Sequence, residues 1–139
     1  MKNLLNQDTK ILEIKIPLNA ITKKNSQRIV LVYGRPIIMP SKNYKDYEKA
    51  CGKYIEPLDK PIDYPVQVKC TYYMKAKRRV DLTNLLEATD DILVKYKILK
   101  DDNRNIIASH DGSRVYYDKE NPRTIIEITK EENYDIWTK

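Results

Sequence analysis

Between residues 66 and 96 the apolar residues change their period. Val66, Val68, Cys70, Tyr72 and Met74 alternate with polar neighbours, the signature of a half-buried strand. Leu82, Leu85, Leu86, Thr89, Ile92, Leu93 and Tyr96 instead fall in one arc of about 120° at 100° per residue, the signature of an amphipathic helix. A strand with one apolar face followed at once by a helix with one apolar stripe requires a sheet covered by helices.

The remaining segments fit that frame. Lys10–Ile16 is short, β-branched and closed by Pro17, which predicts a first strand. Arg28–Tyr33 and Pro36–Met39 flank Gly34-Arg35 and predict a hairpin, with Pro36 and Pro40 marking its second arm as an edge. Ser41 is placed to cap a helix from about Lys42 to Ile55, along which Tyr44, Tyr47, Cys51 and Tyr54 recur at helical spacing. Glu56–Pro65 holds three prolines and reads as a loop. Asn105–Ser109 and Arg114–Tyr117 flank His110-Asp111-Gly112-Ser113 and predict a second hairpin; Thr124–Thr129 is the last strand. The fold class expected is α+β: one domain over residues 1–139, a small mixed sheet with two main helices, and an acidic, mobile tail over 130–139.

Composition narrows the function. With 139 residues, 41% of them hydrophobic, the chain is long enough for one sizeable core and too apolar for a disordered tail. No apolar run reaches the roughly 18–20 residues of a membrane span, and the start lacks the apolar region of a signal peptide, so a cytoplasmic location is expected. Cys51 and Cys70 lack metal-site spacing and fall on apolar faces, which places them in the core. His110 is the one histidine and sits in a predicted turn, where a surface role is expected. Three glycines leave no phosphate-cradling loop, hence no nucleotide cofactor.

Charge is unevenly spread. The net charge is +6, but residues 1–80 hold 17 Lys/Arg against 7 Asp/Glu, whereas residues 81–139 hold 9 against 13. The switch is abrupt: Lys75, Lys77, Arg78 and Arg79 run into Asp81, followed by Glu87, Asp90, Asp91, Asp101 and Asp102. Asp81 stands where a carboxylate caps the second helix, whose polar arc carries Asn84, Glu87, Asp91 and Lys95. Read structurally, these acids are a cap, solvated helix residues and turn formers. Read chemically, cations that hold phosphates beside carboxylates that hold Mg²⁺ are what a metal-dependent nuclease needs. Asp81, Asp101 or Asp102, and Glu87 supply such a ligand set if the Asp101-Asp102 turn folds back.

The run Arg79-Val80-Asp81-Leu82-Thr83-Asn84-Leu85-Leu86-Glu87, followed by Asp90-Asp91-Ile92-Leu93 and Asp101-Asp102, resembles the RusA family of Holliday junction resolvases, often carried by phages and prophages. Ile21-Thr22-Lys23-Lys24-Asn25 and Asn121-Pro122-Arg123 extend the resemblance from about residue 14 to 129. It implies a Mg²⁺-dependent endodeoxyribonuclease, with Mn²⁺ as a substitute, that binds four-way DNA junctions as an intertwined homodimer. Asp81 and Asp102 match the family's metal-binding aspartates, Asn84 its asparagine, Asp91 its helix aspartate and Asp101 the acid before the distal one. Metal ligands are then Asp81, Asp102 and Glu87, with Asp101 and Asp91 assisting catalysis, and Lys23, Lys24, Asn25, Lys75, Lys77, Arg78, Arg79 and Asn84 meeting DNA. Two positions depart: Thr83 replaces a family aspartate and Glu87 a family lysine. Being four residues apart on one helix, they are neighbours, so Glu87 can serve the metal that residue 83 does not. The alternatives are a non-catalytic module binding branched or single-stranded DNA, and a protein-binding partner of phage replication.

Overall fold

A computed structural model describes residues 10–23, 28–39 and 41–131. Strand β1 (Lys10–Ile16) leads to a separate hairpin of β2 (Arg28–Val32) and β3 (Arg35–Met39). Helix α1 (Lys42–Cys51), ended by a 3₁₀ turn over Gly52–Tyr54, precedes the long strand β4 (Val66–Met74). Helix α2 (Leu82–Lys95) and strands β5 (Ile107–Ser109), β6 (Arg114–Tyr117) and β7 (Arg123–Lys130) follow. The class is the expected α+β, and the last strand runs one residue further at each end than its apolar core suggests.

The main sheet is mixed. β7 lies antiparallel between β1 and β4, and the other edge of β4 pairs in parallel with β5 and then with β6. Register aligns the inward residues in rows: Ile14, Ile126 and Cys70 form one, and Ile16, Thr124 and Tyr72 the next. All six are buried, with Tyr44, Tyr47 and Cys51 of α1 and Leu85, Thr89, Ile92 and Leu93 of α2 in the same core. Burying a side chain of this size stabilises by roughly 1.5–3 kcal/mol, which makes this face the main source of cohesion. One polar link crosses the core. The Thr89 hydroxyl donates to the Leu85 carbonyl at 2.9 Å, so the Tyr72 hydroxyl at 2.6 Å donates to Thr89 Oγ1.

Both cysteines are free and fully buried, and burial pushes their thiols up to about 11 for Cys51 and about 12 for Cys70. They are core residues, as expected. Ser41 caps α1 by accepting from the Tyr44 amide, and Tyr96 reaches back from the end of α2 to donate to the Glu48 carbonyl at 2.8 Å. No helix among the described residues is long and apolar enough to cross a membrane.

Two expectations are corrected. The first hairpin turns at Tyr33-Gly34, one residue earlier than the sequence suggests, with φ of 51° and 77° at these positions. A two-residue turn that matches strand twist needs positive φ at both central residues, so Gly34 takes the second central place. The second hairpin does not form. β5 and β6 both run parallel to β4, as one edge interrupted at residues 110–113. In the gap the Val68 carbonyl meets His110 Nδ1 at 2.9 Å, and the Cys70 amide donates to Ser113 Oγ at 3.0 Å. Side chains complete the ladder where backbone does not, which removes the need for a hairpin.

Candidate active site

The segment from Lys75 to Val80 carries the chain from the end of β4 to the start of α2. Its Lys75 amide donates to Asn19 Oδ1 at 2.8 Å, while the Lys75, Lys77, Arg78 and Arg79 side chains are exposed. Asp81 then caps α2: its Oδ1 accepts from the Thr83 amide at 2.9 Å. The carboxylate meets the positive end of the helix dipole, and its second oxygen adds acceptor capacity. Thr83 and Glu87 are exposed on successive turns, and Asn84 is half-buried.

The other end of α2 is built to turn back. The Lys97 amide bonds the Val94 carbonyl and the Ile98 amide the Leu93 carbonyl, with φ of 63° at Lys97. This is the left-handed helix stop usually made by glycine, here with lysine. Ile98 and Leu99 are thereby buried, and a bridge from Leu99 to Ile62 holds the following turn. In that turn Asp101 accepts from the Asp102 amide at 2.7 Å and the Asn103 side chain at 3.2 Å. Burial, the hydrogen bond to Asp101 and the charge of Asp91 all raise the Asp102 carboxyl above the usual carboxylate range.

The turn follows α2 closely enough for the charge of Asp91 to act on the Asp102 carboxyl and that of Asp102 on Asp90. Asp91 Oδ2 lies 2.6 Å from Lys23 Nζ, which also stands 5.7 Å from the centre of the Tyr44 ring. Thus Asp91 pairs with Lys23, while Asp101 and Asp102 are joined in the turn after the helix. Among the described residues, no three His, Cys, Asp or Glu side chains converge tightly enough to enclose a metal ion, so Asp81, Glu87 and Asp102 do not form a compact trio. Lys24 and Asn25 lie outside the described residues.

The donor chemistry nevertheless fits a hard divalent cation. Mutually repelling carboxylates raise one another's proton affinity, and a cation relieves the same repulsion. Mg²⁺ commonly takes one or two carboxylates and completes its octahedron with water and substrate phosphate, so an enclosed protein cage is not required.

The most elaborate polar contact was not foreseen. Asp90 is buried at 9% exposure, with Oδ2 at 2.9 Å from His110 Nε2. His110 is half-buried rather than a surface turn residue, because its Nδ1 also fills the gap in the β4 ladder. A carbonyl only accepts, so Nδ1 carries a proton and donates to Val68, leaving one shared proton between Nε2 and Asp90. At 100° per residue Asp90 falls about 40° outside the apolar arc of α2, a border position that was the one available signal.

A carboxylate-rich helix and turn, edged by cations, defines a candidate phosphodiester-cleaving centre. The family model for endodeoxyribonuclease RusA matches residues 17–129, and the chain belongs to this family. The match takes in every carboxylate discussed above and the whole basic segment before α2. A search of curated proteins finds no match.

Proposed function

We propose that this protein is a Mg²⁺-dependent, structure-specific endodeoxyribonuclease that resolves four-way DNA junctions in recombination and repair. The observation that carries this reading is that Asp81 caps the helix which the exposed basic segment precedes, and that the same helix leads through Asp91 into the Asp101-Asp102 turn. Asp81 and Asp102 hold the cation, with Glu87, Asp91 and Asp101 as supporting acids. When bound, the cation activates water and steadies charge on the leaving oxygen. Lys75, Lys77, Arg78 and Arg79 hold phosphates, Asn84 orients the strand, and Lys23 fixes the Asp91 carboxylate in place.

Resolution requires two symmetric cuts, which a C₂ homodimer with one site per subunit supplies. The β2–β3 hairpin supports this partner. It stands outside the main sheet and leaves Ile29 at 72%, Leu31 at 72% and Ile38 at 67% exposure. A lone two-stranded sheet is at best marginal in water, so a second copy covering this face accounts for its apolar surface.

The test is a labelled synthetic four-way junction with Mg²⁺ or EDTA, comparing the natural protein with Asp102→Asn. Paired symmetric nicks that need metal and vanish in the variant support resolvase activity. Junction binding without scission under Mg²⁺ or Mn²⁺ supports the second reading, a DNA-recognition module, which Thr83 and the loosely spaced acids favour.

A further inference from the structure

The outer face of the main sheet carries an aromatic row that the carboxylate centre does not use. Tyr116 of β6, Tyr73 of β4 and Arg123 of β7 are register partners across three strands. The Tyr73 and Tyr116 rings stack with centroids 5.4 Å apart and planes at 27°, and the Arg123 guanidinium lies 3.7 Å from the Tyr73 ring centre. Arg123 is itself pinned: Nη1 donates to Asp118 Oδ2 and to the Asn121 carbonyl, each at 2.9 Å. The row is thus a fixed stack of guanidinium, ring and ring that ends on an edge strand. Tyr116, its outermost member, is 48% exposed, and the adjacent Tyr117 is 45% exposed with Lys77 Nζ 5.0 Å from its ring centre.

A cross-strand tyrosine pair stabilises an edge in its own right. That role does not account for a half-exposed ring at the end of the stack, nor for the exposed Arg114 two residues before it on the same face. Arg114, Lys75 and Lys119 are exposed nearby in the chain, and Lys77 belongs to the basic segment that leads to Asp81. Exposed aromatic faces beside cations suit a ligand with its own π-face and a negative backbone. Double-stranded DNA hides its base faces in its own stack; an unpaired nucleotide does not.

We propose that Tyr116, backed by Tyr73 and Arg123, is a stacking site for an unpaired base of DNA, with Arg114 on the same face holding a flanking phosphate. This rests on the nuclease reading above and gives it a means of choosing substrates: strands with bases freed at a branch, flap or fork. Eight residues separate Tyr73 from Asp81, a reach of at most about 28 Å, so one strand can cross both sites.

Fluorescein-labelled dT₁₂, a fully paired blunt duplex and a four-way junction are titrated in EDTA against the natural protein, Tyr116→Ala, Tyr116→Leu and Tyr116→Phe. Stacking on one ring corresponds to roughly a 5- to 150-fold change in affinity. Ala and Leu are expected to lower the ratio of dT₁₂ to duplex affinity by that factor, and Phe to hold it within about twofold. Leu retains apolar packing at the edge, so its loss separates stacking from mere folding. An unchanged ratio in folded Ala or Leu variants overturns the stacking site. So does a natural protein that binds duplex and four-way junction but not dT₁₂, and this outcome leaves the nuclease reading standing. Binding to none of the three DNAs overturns both.

Discussion

Asp90 and Asp91 are sequence neighbours on one helix, yet they serve different regions. Asp90 faces the sheet edge, buried against His110, and ties α2 to the interrupted ladder of β4. Asp91 instead pairs with Lys23 and is half-buried, with its charge acting on Asp102. The first carboxylate is committed to holding the protein together and the second stands among groups suited to chemistry. A rotation of about 100° between successive helix positions is all that separates the two roles.

Substitutions can break this division, beginning with the largest effect. Asp102→Asn is expected to lower junction cleavage at least about 100-fold, as loss of a charge-stabilising group does, without a matching loss of DNA binding. Cleavage kinetics and gel-shift titration on the same samples check this. On the other side of α2, His110→Ala is expected to destabilise the chain by about 2–4 kcal/mol, because Asp90 and the Val68 carbonyl both lose their partner in a buried setting. Urea denaturation measures it, and cleavage by the remaining folded protein should change far less than in Asp102→Asn.

The Asp90–His110 pair also makes stability depend on pH. Burial raises Asp90 above its ordinary value, with His110 pulling the other way. Burial pushes His110 down, but the Asp90 hydrogen bond, its charge and the Val68 carbonyl outweigh this and leave it above 6.5. Both groups hold protons more tightly folded than unfolded, so their contribution is present at low pH and fades as pH rises. For His110 the loss begins near 6.5 and is complete above its raised folded value. Melting temperature should therefore fall as pH rises above about 6.5. In Asp90→Asn that slope should flatten, since an amide donates to neutral Nε2 while Nδ1 still donates to Val68. A slope unchanged in Asp90→Asn would show that the shared proton lies elsewhere.

The smallest effect concerns the helix stop that delivers Asp102. Lys97→Gly is expected to stabilise by about 0.5–1 kcal/mol, because lysine is strained at φ 63° and glycine is not. Thermal denaturation checks it, and the Asp91–Asp102 geometry should be preserved.

The sequence makes these elements legible to different degrees. The period of Val66–Met74 and the arc of Leu82–Tyr96 identify β4 and α2 within one residue, because half-burial imposes a pattern on every second or every third-to-fourth residue. The Asp101-Asp102 turn is legible as a turn, but the chain reversal that leads into it depends on a left-handed lysine that no composition rule flags. The parallel placement of β5 and β6 was illegible for a different reason. A short strand, a turn and another short strand look alike whether the two pair with each other or both pair with a third. His110 was misread with them, since a histidine in a turn and a histidine plugging a ladder have the same neighbours in sequence.

That plug has an evolutionary side. A ladder of backbone amides and carbonyls tolerates nearly any change of side chain, because every residue type but proline supplies the same donor and acceptor. At the break in the edge of β4 two rungs are instead the imidazole of His110 and the hydroxyl of Ser113. There the continuity of the sheet is heritable at two codons, and drift that would pass unnoticed elsewhere along the edge unzips it.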